Sequence, residues 1–440
     1  MTQDNDDELI EHLRLAARSV DGVNSHGAAF EPLDGTMGDV TVVGMGECDH
    51  RTSEFVRFKR RLFRYLVERH GVQWFGIEAP PVEAGALHRY VVTGSGDLDA
   101  ILDDVGYSIY RTEEVADFFE WLRAYNGDRP RSARVGVFGF DVQSIAGPAT
   151  ALRDWLDGRA DGERAVASLA ELTGDRYNDG NVNLDQLRRA ESLLPEVRDL
   201  VTRATPTGDT ARSPGESRQG GVQHPLGNDA IAGEYALRAL EQAVAFSRAY
   251  HGEDESVSYG LRDEYMAANI ERMLDDTGTD RLAVWAHDNH VKTGRLSRDG
   301  HPSKTMGQRL HERLGMGYYA LGLQFVGGHV RALVAGDGEY MYEGETLRRD
   351  VVPVPEPIGG SMPALLGGTG YSTGLVDFRS VPEDGALRMG LRDDRRNHFI
   401  AGRVDPAEPE SFYGTHRTAA VFDGLAFVRE ATPTTPFDSS

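Results

Sequence analysis

Glu47 and His50 stand three residues apart, and His287 and His290 repeat that spacing far along the chain. An imidazole beside a carboxylate can act as a general base near neutral pH, because the carboxylate fixes the tautomer and raises ring basicity. Glu78 and Asp141 add two further acids. Four of these groups close short apolar runs. Val40–Gly46 stops at Glu47, Trp74–Ile77 at Glu78, Val135–Phe140 at Asp141 and Leu282–Ala286 at His287. The runs are rich in Val, Phe and Trp and lack period-2 alternation, as expected of strands buried on both faces of a parallel sheet. Ligands of open α/β sheets bind outside the carboxyl ends of the strands. Four strands therefore deliver acids and an imidazole to one rim.

Other readings of the same residues stay open. His50 could be a loop histidine and Glu47 a capping acid. Glu78, followed by Ala79-Pro80-Pro81, could cap a helix. Together with Glu47 it gives two carboxylates on neighbouring strand ends, where mutual repulsion drives the two carboxyl pKa values apart. His287 and His290 would face one way on a helical turn, and His-x-x-His with Glu47, His50 and Glu78 could also hold a metal.

Lysine occurs only as Lys59, Lys292 and Lys304, all other basic side chains being arginine. A helix over 53–70 carries an apolar stripe of Phe55, Phe58, Leu62, Phe63, Leu66 and Val67, and Lys59 falls inside it. A core-facing ammonium needs a carboxylate partner, unless it snorkels past the helix start.

Two motif matches carry little. Gly370-Tyr371-Ser372-Thr373-Gly374 matches Gly-x-Ser-x-Gly, but a nucleophile elbow needs a strand before and a helix after, whereas a strand-like run follows here. Gly44-Met45-Gly46 meets Asp49 at the third glycine position of a dinucleotide loop, and an acid there repels a pyrophosphate.

The alternation of strands and helices through residue 148 indicates a doubly wound, mostly parallel α/β sheet. Helices are expected near 6–20, 53–70, 81–93 and 111–126. From 149 to 277 the pattern turns helical, with an aperiodic polar stretch near 205–226 read as a flexible loop. The expected organisation is an α/β core, 1–148 and 278–440, with a helical insertion at 149–277 over the C-terminal strand edge. Strands resume at 282 and at 318–325, and the run 420–428 reads as a last one.

With 440 residues, a large core is affordable. The 47 basic residues against 70 acidic ones leave a net charge of -23. Such a surface repels nucleic acid and anionic membrane. High acid content with almost no lysine matches salt-adapted microbial proteins, an Arg-biased genome being the alternative. The single cysteine, Cys48, excludes an intrachain disulfide. No secretory h-region and no apolar run of bilayer length occurs, so a cytoplasmic location is expected.

Several segments together resemble the erythromycin esterase family. Gly46-Glu47-Cys48-Asp49-His50-Arg51-Thr52-Ser53-Glu54-Phe55 is similar to its Gly-Glu-x-x-His-Gly-Thr-x-Glu-Phe signature, and Ile77-Glu78-Ala79 to its second-strand Glu. Trp285-Ala286-His287-Asp288-Asn289-His290-Val291 resembles Trp-Ala-His-Asn-x-His-Val. Arg262-Asp263 with Met266 and Asn269, and Met306-Gly307 before Tyr318–Gly322, match as well. The resemblance implies metal-independent, cofactor-free hydrolysis of a lactone or ester by activated water. His50 would be the base, with Glu47, Glu78, His287 and His290 completing the catalytic group. Lys59, Arg51, Asp141 and Arg262 are the expected substrate contacts. Arg51 replaces a family Gly and Lys59 a family Arg, the latter losing the bidentate fork. The expected partner is a small ester or lactone. A metallohydrolase using the same cluster, or a binding protein on this scaffold, are the alternatives.

Overall fold

A computed structural model describes residues 3–20, 29–159, 163–172, 184–205, 222–252, 255–298, 301–342 and 345–437. Nine strands form its central sheet: β1 (Arg18–Ser19), β2 (Val42–Met45), β3 (Trp74–Ile77), β4 (Gly136–Gly139), β5 (Leu282–Trp285), β6 (Tyr318–Tyr342), β7 (Glu345–Pro353), β8 (Thr373–Asp377) and β9 (Gly424–Ala431). Their spatial order is β1-β8-β9-β6-β2-β5-β3-β4, with β7 paired to β6. From β9 to β4 every neighbouring pair is parallel. The pairs β1–β8, β8–β9 and β6–β7 are antiparallel. The sheet is thus mostly parallel, as its unbroken apolar runs require.

Alternate side chains explain why those runs are continuous. Val43, Met45, Phe75, Ile77, Val137, Ala283, Trp285 and Tyr319 enter one buried cluster with the helices α2 (Ser53–His70), α3 (Ala84–Thr93), α4 (Leu98–Asp104) and α5 (Glu113–Gly127), which follow α1 (Gln3–Ala16) in the chain. Val42, Trp74, Phe138, Leu282, Val284 and Tyr318 enter a second cluster on the opposite face. With both faces covered, neither set of side chains can be polar.

Further helices follow: α6 (Ala146–Leu156), α7 (Glu163–Ala170), α8 (Leu184–Ala204), α9 (Asp229–Tyr250), α10 (Glu255–Thr277) and α11 (Met306–Leu314). Leu152, Trp155, Leu169, Leu187, Leu200, Ala236 and Leu240 make α6 to α9 share a core of their own. By contrast, Met266, Ala267, Ile270 and Met273 of α10 pack with the sheet and with Met306 and Leu310 of α11. Residues 206–221 of the expected flexible loop lie outside the described residues.

Some expected boundaries move. The first helix ends at Ala16, because Arg18 and Ser19 pair with Leu375 and Gly374 of β8. The run at 420–428 splits into a helical turn, Thr418–Val421, and β9. The strand at 318 continues to Tyr342 through a bulge against β7. Ser372 of the discounted Gly-x-Ser-x-Gly match follows the helix Met362–Gly368 and precedes β8, the reverse of the order a nucleophile elbow needs.

Candidate active site

Parallel register brings the strand ends level. Met45 pairs with Trp285, Ile77 with Trp285 and with Gly139. Glu47, Glu78, Asp141 and His287 each follow within two residues of those positions, so all four emerge at one edge. Backbone bonds hold the exits together: Glu78 N–H donates to Trp285 O at 3.0 Å, Asp288 N–H to Glu47 O at 2.8 Å and Asp141 N–H to Ala79 O at 3.0 Å.

Glu47 is buried, and three donors converge on it. His50 Nδ1 lies 2.8 Å from Oε1, and the Trp285 indole N–H donates to the same oxygen at 2.8 Å. Lys59 Nζ donates to Oε2 and stands 4.3 Å from the centroid of the Trp285 ring. Lys59, expected as a substrate contact, has no exposed surface and faces Glu47 instead. Burial lowers its proton affinity, while the Glu47 charge pulls the other way. The His50 side chain keeps 20% of its surface exposed. With Nδ1 on Glu47, Nε2 is the ring nitrogen turned away from the carboxylate.

The loop holding His50 is tied at both ends. Asp49 accepts from Thr52 Oγ1 at 2.8 Å and from Arg51 N–H at 3.1 Å, and burial pushes its carboxyl up to about 6 despite those bonds. The chain at 432–435 straps across the start of α2. Ser53 N–H donates to Thr432 O, Thr434 N–H to Arg51 O, and Glu54 accepts from the Thr432 backbone at 2.8 Å. Glu114 accepts from Ser53 Oγ at 3.0 Å and from Thr435 N–H at 2.9 Å.

A second group gathers around Arg262 of α10. Its Nε donates to Asp141 Oδ1 and its Nη2 to Asp141 Oδ2, both at 2.8 Å, and Nη2 also donates to Glu78 Oε1 at 2.7 Å. Asp141, also expected to meet substrate, is buried and receives Tyr107 Oη–H at 2.8 Å and Gln143 Nε2–H at 2.9 Å as well. Asn269, two turns along α10, donates to Phe140 O at 3.1 Å and pins the helix to the end of β4. Arg51 donates to Ser108 Oγ at 3.0 Å.

Glu78 does not adjoin Glu47 as expected: β5 lies between β2 and β3. The expected repulsion is therefore replaced by attraction. Burial opposes the Glu78 charge, but His290, Arg262 and His50 outweigh it and hold the carboxyl well below the usual range. The other Glu78 oxygen accepts the His287 backbone N–H at 2.8 Å.

The two histidines of the second pair have different environments. His287 caps a short helix, its Nδ1 accepting from Asn289 N–H at 3.1 Å, so Nε2 carries the proton toward Cys48 O at 3.3 Å. Burial, with His50 nearby, drives its pKa well down, and the ring is neutral. It sits between His50 and Phe399, 5.1 Å from each ring centroid. His290 Nδ1 lies 3.0 Å from Asp263 Oδ1, and its Nε2 is 3.5 Å from Glu78 and 3.1 Å from Arg262 Nη1. Burial lowers its proton affinity, but Asp263 and Glu78 together raise it above the ordinary value.

Sequence reasoning assigned no role to Trp285, Asp263, Tyr107 or Asp288. Trp285 reads as a core residue, and Tyr107 sits in a loop without pattern. Asp263 also accepts from Met306 N–H at 2.6 Å. Asp288 accepts from Leu323 N–H and Gln324 Nε2–H, and burial pushes its carboxyl up to about 7. Among the described residues, no group of three or more His, Cys, Asp or Glu side chains is arranged to hold a metal ion.

Fold and site define an α/β protein whose carboxylates and imidazoles meet at the carboxyl edge of a parallel sheet. The chain belongs to the erythromycin esterase family, whose model matches residues 67–431. It is 26% identical over 381 residues to erythromycin esterase type II of Escherichia coli, covering 81% of this chain and 84% of that protein. Its fold is similar to that of a succinoglycan biosynthesis protein, with a TM-score of 0.78 at 20% identity over 99% of this chain and 100% of the other. It is also similar to a mutant of erythromycin esterase EreC in its open conformation, with a TM-score of 0.67 at 18% identity over 96% and 99% of the two chains. At family level, the erythromycin esterase homologues imply an ester hydrolase. No described helix is long and apolar enough to cross a membrane.

Proposed function

We propose that the protein hydrolyses a carboxylic ester or lactone with water activated by His50. The observation that carries this reading is the Glu47–His50 pair: a buried carboxylate on Nδ1, and an imidazole that keeps contact with solvent. His50 Nε2 takes a proton from water as the oxygen attacks the carbonyl carbon, and Glu47 stabilises the imidazolium that forms. His290 has both ring nitrogens engaged, by Asp263 and Arg262, so it and Arg262 act on the negative charge of the carbonyl oxygen through their field rather than by a direct hydrogen bond. The C–O bond then breaks, and the His50 proton passes to the leaving alkoxide. Lys59 and Arg262 act one step back: the first fixes Glu47, the second locks Glu78 to Asp141. In this reading the helices α6 to α9 shape the cleft, and the partner is a small uncharged or cationic molecule rather than nucleic acid or an anionic membrane.

The test is a panel of lactones and activated esters assayed with the wild-type protein and with His50→Ala. Turnover is expected to fall at least about 10²-fold while Tm stays within experimental error. Unchanged turnover in that variant removes His50 from the mechanism.

A further inference from the structure

The segment after the short strand Arg395–His398 reaches the site from late in the chain. Ile400 N–H donates to Cys48 O at 2.8 Å, the same carbonyl that His287 Nε2 faces at 3.3 Å. Gln324 of β6, itself fully buried, clamps the segment from the sheet. Its side-chain oxygen accepts His398 N–H at 2.9 Å, and its Nε2 donates to His398 O at 3.2 Å and to Asp288 Oδ2 at 3.1 Å. One amide thus pairs with the His398 backbone as a neighbouring strand would, and joins it to the turn that His287 caps. Phe399 N–H completes the set by donating to Phe412 O at 2.9 Å.

His398 and Ile400 are both buried, the first against Phe325 and the second in the core with Val43 and Ile77. Side chains of an extended segment alternate, so Phe399 between them turns the other way. It stays partly exposed, with its ring perpendicular to that of His287, which in turn adjoins His50. The acids, imidazoles and Arg262 can bind a carbonyl and move a proton, but a carbon chain needs apolar surface besides. Small-molecule sites are lined mostly by apolar and aromatic side chains, a few polar groups fixing orientation. A phenyl ring on a segment already fixed by its backbone offers that surface with little ordering left to do. The His50 proton returns to the leaving alkoxide, which sets the alkoxy side against His50 and leaves the acyl side to run past His287.

We propose that Phe399 is a specificity-determining residue of the acyl side, its ring seating an apolar chain attached to the reacting carbonyl. The assignment rests on the hydrolytic reading for where that carbonyl lies.

Two measurements on the full chain test it: turnover of 4-nitrophenyl hexanoate against 4-nitrophenyl acetate, and calorimetric binding of N-phenylhexanamide against N-phenylacetamide. The wild-type protein is expected to favour the longer chain at least about tenfold in kcat/KM and in Kd, since each buried methylene adds up to about fourfold. Phe399→Ala is expected to cut that preference at least about fivefold, and Phe399→Leu to restore most of it. Phe399→Gln, similar in length but polar, is expected to behave as Phe399→Ala does and replaces it should the smaller variant fail to fold. A merely structural role lowers both esters alike and leaves the ratio untouched. That result overturns the assignment, as does a wild-type protein indifferent to chain length. If no ester is turned over while the amide preference persists and depends on Phe399, the hydrolytic reading falls and the apolar subsite stands.

Discussion

Glu47 accepts from three groups that belong to different elements: a loop imidazole, a helix ammonium and a strand indole. Deleting one leaves a buried charge short of a partner. Lys59→Met is expected to cost about 3–5 kcal/mol in urea unfolding, with turnover falling as His50 loses its fixed carboxylate. A variant as stable as the parent would show that Glu47 does not depend on the ammonium. Lys59 was legible because lysine is rare here and lies on an apolar stripe. The Trp285 indole was not, since a tryptophan in an apolar strand is indistinguishable from core. Asp49 offers a pH test. An unfolded aspartate loses its proton near about 4, and the native one near about 6. Across that window the native state holds the extra proton, so this group's contribution to stability falls as pH rises, and the loss is complete above it. Asp49→Asn keeps one oxygen for the Thr52 and Arg51 donors. It is expected to match the parent at pH 4 and to exceed it by about 1–3 kcal/mol at pH 8. A pH-independent difference between the two proteins rejects the buried-acid account.

At the level of elements, the exits of β2 and β5 are pressed together at Gly46. A Cβ there would lie 2.0 Å from Asp288 Oδ1 and 2.8 Å from Leu321 O. Gly46→Ala is expected to cost about 1–3 kcal/mol and to depress turnover by displacing Glu47, measurable as a fall in kcat together with Tm. A variant with parental Tm and kcat means the β2 exit yields without consequence. Strand identity and direction were readable from apolar runs that tolerate no polar face. Strand order was not, because β5 arrives from more than two hundred residues away to separate β2 from β3, and nothing local in Trp74–Ile77 encodes that neighbour. The same gap produced the mistaken pairing of Glu47 with Glu78. α10 was likewise hard to apportion, since its helical period says only that one face is apolar. Met266 and Ile270 meet the sheet, and Arg262 depends on that contact to reach Asp141 and Glu78.

Across the whole molecule, the charge of -23 is a self-repulsion that salt screens within about 10 Å at 0.1 M and about 3 Å at 1 M. Tm is therefore expected to climb between 0.1 and 2 M KCl, and a flat profile counts against salt adaptation. The strap at 432–435 joins distant parts of the chain in a different way. Thr432 and Glu54 bond across a separation of 378 residues, and the turn carrying His50 leans on that link. During synthesis, the base-bearing turn emerges early and must wait for its late partner before its geometry is set. Chains cut before Thr432 are expected to carry every proposed catalytic side chain and still be idle, so it is the arrival of residues 432–435 that arms the site.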